Sequence, residues 1–220
     1  MSEINIQLVR EFFEINRFSV LTHWPHLDVR ASEAGSLLFV ERLGEGTGEA
    51  PPFLLHGPDA RLIDRAAVEV RAWHADKFYP SVIESSPILG HVASAEVADL
   101  ARGVFGAATF ATVLVISELP ASAAPRARAL SLLEALGIGH VIEFGTLLGA
   151  LAWQLGSHGN YAPSQTLQTL RLLKRYGLLR RQQLEFAFPS EPLLREPAPP
   201  VETDLPAREN ETDPPDDSAE

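Results

Sequence analysis

Apolar and charged side chains alternate along Ala66–His74 (AAVEVRAWH). Val68 and Val70 fall on one side, Glu69 and Arg71 on the other, so the segment reads as a strand. An acid and a base two residues apart on an otherwise apolar strand need either a mutual ion pair or a site to serve. Upstream, Ile6, Val9, Phe13 and Ile15 trace a helical stripe from Ile4 onward, with Glu3, Arg10, Glu11 and Glu14 around it. The pattern turns β-like over 18–22 and breaks at His23-Trp24-Pro25-His26. It resumes as strands over 27–31 and 36–43. The Gly- and Pro-rich residues 44–58 predict a loop, 59–65 one or two helical turns, and 76–90 an irregular stretch broken by Pro80 and Pro87.

The second half alternates strand and helix. Ser94 is the N-cap of a predicted helix to Phe105, with Val97, Leu100, Ala101 and Val104 turned inward. Residues 110–119 form a strand whose centre, Val113–Ile116, is apolar on both faces, as a central parallel strand must be. A helix over 125–136 opens with Pro125 and stops at Gly137. A strand over 140–144 and a helix over 146–155 follow. A last helix after Pro163 runs to Tyr176, with Leu167, Leu170 and Leu173 in line and Gly177 as its stop. Such alternation implies right-handed crossovers and a largely parallel sheet in an α/β fold. Beyond Phe188 the chain is proline and acids and is expected to be disordered. The expected organisation is an α/β domain over 1–155, a helical extension with a basic face over 156–188, and a disordered Pro-rich acidic tail over 189–220.

Composition narrows the chemistry. The absence of cysteine excludes disulfides, cysteine-ligated zinc and cysteine nucleophiles. No apolar run reaches the roughly 18 residues of a membrane helix, and the polar start is unlike a signal peptide, so a cytoplasmic protein without membrane contact is expected. The net charge of −11 is concentrated at the end: residues 190–220 carry ten acids and two bases, leaving −3 for residues 1–189. A phosphate-bearing partner is therefore compatible with the rest of the chain.

The order helix, strand with Asp28, strand with Glu69-Val70-Arg71, helix, apolar strand, helix, strand resembles the restriction-endonuclease-like superfamily of PD-(D/E)xK nucleases. The segment from the first helix through Leu27-Asp28-Val29, and Trp73-His74, look most like bacterial members of that superfamily without an assigned role. The resemblance spans residues 4–155. It implies an open mixed sheet flanked by helices, with Asp28 as the first acid and Glu69 as the acid of the acid-x-lysine motif. Two such carboxylates would hold Mg²⁺ or Mn²⁺, which neutralises the scissile phosphate and activates a water. Arg71 stands where the lysine belongs. A guanidinium cannot accept a proton, so Arg71 either binds phosphate or clamps Glu69 or Asp28 in an ion pair. The resemblance thus implies a nuclease-like protein with a degenerate metal-dependent site. The alternative is a non-catalytic module of the same fold that contacts protein or nucleic acid.

Further candidates surround this motif. Trp73 could stack on a base and His74 could contact phosphate, and Lys77 could supply the missing amine. Their alternative roles are a Trp capping the sheet end, an exposed His and a solvated Lys. Arg171, Lys174 and Arg175, opposite the leucine line, make a candidate nucleic-acid-binding face that Arg180 and Arg181 extend. Gly44–Gly48 imitates a phosphate loop but lacks its lysine and following helix. The oligomeric state is open, with a homodimer among the options.

Overall fold

A computed structural model describes residues 3–23, 36–44, 46, 48–161 and 163–179. The expected strand over 27–31 with Asp28, and the expected tail over 189–220, lie outside the described residues. The described chain runs α1 (Glu3–Ile15), β1 (Phe18–His23), β2 (Ser36–Arg42), β3 (Leu54–Leu55), β4 (Arg65–Arg71), α2 (Pro80–Glu84), α3 (Ala95–Phe105), β5 (Ala111–Ile116), α4 (Ala123–Ala135), β6 (His140–Glu143), α5 (Phe144–Gln154) and α6 (Gln165–Arg175). Two 3-10 turns, Gly57–Leu62 and Pro87–Ala93, join β3 to β4 and α2 to α3. Pro80 and Pro87, expected as breaks, open α2 and the second turn: proline lacks only an amide that a first turn leaves unpaired.

The six strands form one open mixed sheet in the order β1-β2-β4-β5-β6-β3. β1 and β2 pair antiparallel with each other and β2 with β4, whereas β4-β5, β5-β6 and β3-β6 pair parallel. The mostly parallel α/β architecture expected from the alternation is thus the one observed. β3 was unexpected: two residues after Pro51-Pro52-Phe53 are too few to show an alternation.

Register sorts the side chains to two faces. Val68, Val70, Val113, Val115 and Ile142 join α1, α5 and α6 in one core. Leu114, Ile116 and Val141 join the 87–93 turn and α4 on the other face, where Leu37, Phe39 and Ala67 meet α3. Helices α3 and α4 share that face because β4, β5 and β6 advance one strand at a time in one direction. Val113–Ile116 are fully buried, as read from the sequence. Val104 is a correction: it lies toward the solvent, and Val97 and Ala101 alone are fully buried on α3.

Buried polar groups tie α1 to this frame. Asn5 donates from Nδ2 to the Ala72 carbonyl (3.2 Å). Asn16 Oδ1 accepts from Arg61 Nε (3.1 Å) and Gln154 Nε2 (3.2 Å). Glu11, expected on the solvent side of the stripe, is buried; it accepts from Gln7 Nε2 (2.7 Å) and from the Ser164 hydroxyl that caps α6. Gly57 packs on α5 so closely that an added Cβ would sit 2.8 Å from Ala150 Cβ. Gly57→Ala is expected to lower stability by about 1–3 kcal/mol, because neither backbone can withdraw without unseating the 57–62 turn. Urea unfolding of the variant against wild type measures it.

Candidate functional site

β4 runs through the middle of the sheet, between β2 and β5, so its residues 67, 69 and 71 point into the layer covered by α3 and the 87–93 turn. Glu69 lies in register between Leu37 and Leu114, both buried. A carboxylate there has no water, and an isolated charge in such a place costs several kcal/mol at least. The chain answers with two cationic or donor groups. Arg71, next on the same side of the strand, donates from Nε (2.9 Å) and Nη2 (2.5 Å) to Glu69 Oε1. His91 brings Nδ1 to 3.1 Å from Oε2, and since an ionised carboxylate only accepts, this nitrogen carries the proton. Glu69 is 0% and Arg71 2% exposed. His91, on the 87–93 turn, reaches the surface and has Glu96 4.0 Å from Nε2.

Metal binding can be tested on these contacts. Mg²⁺ or Mn²⁺ needs carboxylate oxygens with free lone pairs and room for water. Here Oε1 accepts twice from the guanidinium and Oε2 once from the imidazole, and the carboxylate is sealed from solvent, with no room for a hydrated cation. Glu69 so arranged does not fit a divalent cation. Among the described residues no group of three His, Asp or Glu side chains is placed to hold a metal. Asp28, the other expected ligand, lies outside the described residues.

The flanking candidates are engaged with the protein itself. Trp73 is half-buried and stacks on Phe78, with centroids 5.3 Å apart and planes 13° from parallel. His74 is exposed. Its Nε2 lies 3.2 Å from Asn5 Oδ1, and its ring meets Phe144 edge-on at 4.7 Å. Lys77 binds Glu118 (2.7 Å) instead of turning toward Glu69. The hydrogen bond with Glu118 raises its amine above the ordinary lysine value, so it stays protonated at neutral pH and cannot act as a base there.

The basic helix divides its charges. Lys174 Nζ donates to the carbonyls of Ala152 (2.8 Å), Trp153 (3.1 Å) and Leu155 (2.5 Å), closing the C-terminus of α5 as a cation should. Arg171 holds Gln168 (3.2 Å) and the Ser157 carbonyl (3.4 Å). Arg175 is exposed beside Tyr176. Arg180 and Arg181 lie outside the described residues. His91, the residue the sequence reading missed, had no local signal, since its role depends on the 87–93 turn folding over β4.

No protein-family model matches the chain, and neither a curated protein nor a solved structure does so.

Removing one partner of the buried pair should cost far more than removing both. Arg71→Met is expected to destabilise by about 3–5 kcal/mol by leaving Glu69 charged in the core. The double variant Glu69→Leu with Arg71→Met should recover most of that loss, and a double-mutant cycle of unfolding free energies reads the difference.

Proposed function

We propose that this chain is a restriction-endonuclease-like fold used as a non-catalytic interaction module, its would-be catalytic acid converted into a structural ion pair. The sealed carboxylate of Glu69, with both oxygens engaged by Arg71 and His91, is the observation that carries this reading. The order of elements supports the kinship: α1, the antiparallel β1 and β2 beside the acid-bearing β4, then α3 and parallel β5. A lysine in place of Arg71 could exchange a proton with water, whereas a guanidinium holds its charge permanently and grips a carboxylate side-on. The substitution therefore exchanges a catalytic pair for a load on the fold.

The partner of such a module is a protein rather than a nucleic acid. Lys174 and Arg171 spend their donors on backbone carbonyls of α5 and the following loop, leaving Arg175 as the exposed cation of that trio. Exposed Leu172, Tyr176 and Leu178 give the same end of α6 an apolar character suited to a protein contact.

Incubating the full chain with Mg²⁺ or Mn²⁺ and single- or double-stranded DNA or RNA should give no cleavage above background, in wild type and in Glu69→Gln alike. Metal-dependent cleavage lost in both Glu69→Gln and Asp28→Ala would refute the reading. Binding to a polyanion should be weak, with a slope of log K on log salt of about −1, as one phosphate contact gives. A slope several times steeper that flattens in Lys174→Gln would return α6 to nucleic-acid binding.

A further inference from the structure

We infer that Arg42, the last residue of β2, forms an oxyanion site with the 57–62 turn and takes a phosphate group there. The Arg42 side chain is nine-tenths buried, with 10% of it exposed. Its Nη1 donates to the backbone carbonyl of Arg61. Its Nε and Nη2 are buried and have no hydrogen-bond partner among the described residues. The neighbouring acid, Asp64, has Oδ1 3.7 Å from Nη2, an ion-pair distance that is too long for a hydrogen bond. Buried donors on a cation are nearly always paired, so a couple without a hydrogen-bond partner asks for an acceptor that no described residue supplies.

The geometry of the unpaired couple says what kind of acceptor. Nε and Nη2 share one edge of the planar guanidinium, and that edge grips two oxygens of a carboxylate or phosphate side-on. Local charge favours the phosphate. Arg61 is fixed through Nε on Asn16, and the carbonyl of the exposed Arg17 accepts from Leu43 N (2.8 Å), directly after Arg42. Arg17 enters no ion pair among the described residues. Arg65, by contrast, is neutralised by Glu41 (2.7 Å). Arg17, Arg42 and Arg61 thus stand on adjoining segments with Asp64 and Asp59 as the acids beside them, Asp59 being bound to the His56 amide (2.8 Å), so the cations still outnumber the carboxylates and an added oxyanion balances them. The Asp64 side chain is 61% exposed, so it can swing outward and open the edge of Arg42 to a ligand. The site lies at the end of β2 that pairs with the start of β4, whereas Glu69 and Arg71 lie toward its other end, so the inference stands apart from the function proposed above.

The test titrates the full chain with inorganic phosphate at constant ionic strength, following thermal unfolding and ³¹P line width, with chloride and acetate as controls. Phosphate should raise the midpoint where chloride does not. Arg42→Lys keeps the charge but lacks the side-on edge, and should weaken the apparent affinity about tenfold. Asp64→Asn, which removes a competing charge, should tighten it, and Arg61→Gln should loosen it. The two surface variants carry the test if Arg42→Lys does not fold. A phosphate response equal to that of chloride overturns the proposal. A response matched by acetate overturns the assignment to phosphate. If Asp64→Asn lowers the midpoint without tightening phosphate, Asp64 is simply Arg42's internal partner and the site does not exist.

Discussion

The core is constrained by one carboxylate set where there is no water, so its partners must be in place wherever it is present. Glu69 occupies the middle of the central sheet, flanked by Leu37 and Leu114, and what makes that tolerable is Arg71 two residues on and His91 from above. The strand's period of two puts Arg71 on the same side as Glu69 whatever else the fold does. His91 arrives only when the 87–93 turn packs on β4 and β5, so the ion pair is written into the strand and its completion into the tertiary fold. The hydrogen bonds fill about three of the carboxylate's four acceptor positions, and burial shuts out the water that a hard cation brings with it.

The same economy recurs along α1. Asn5, Glu11 and Asn16 are polar, buried and bonded to other elements: to the end of β4, to the cap of α6, and to the 57–62 turn with α5. The helix is held by its apolar stripe and oriented by these three. Lys174 closes the C-terminus of α5 from the neighbouring α6, and Ser164 closes the N-terminus of α6 from its own cap position. Polar residues that look like surface chemistry in the sequence thus serve as joints between elements.

That pattern explains what could be read from the sequence and what could not. Strand β4, central strand β5 and the alternating second half were legible because periodicity and burial on both faces are local properties. Ser94 as a cap and Gly137 and Gly177 as stops were legible for the same reason; both glycines have positive φ, 81° and 72°. β3 was not, since an edge strand of two residues owes its existence to β6 beside it. Glu11 looked solvated because the sequence cannot show that α6 folds back onto it. The Glu69–Arg71 pair was one of two readings open at the outset, and only the depth of β4 in the sheet separates a clamped acid from a waiting ligand. Arg42 carried no signal, because an unpaired guanidinium edge exists only relative to the groups that fail to reach it.

The central claim is that Glu69 serves the core and not a cation. Its most direct test is Mn²⁺ binding followed by electron paramagnetic resonance, on wild type and on Glu69→Gln, with the unfolding midpoint of each recorded alongside. The account predicts the same Mn²⁺ affinity for the two proteins and a clearly lower midpoint for the variant. Mn²⁺ binding that vanishes in Glu69→Gln while the midpoint holds would contradict it.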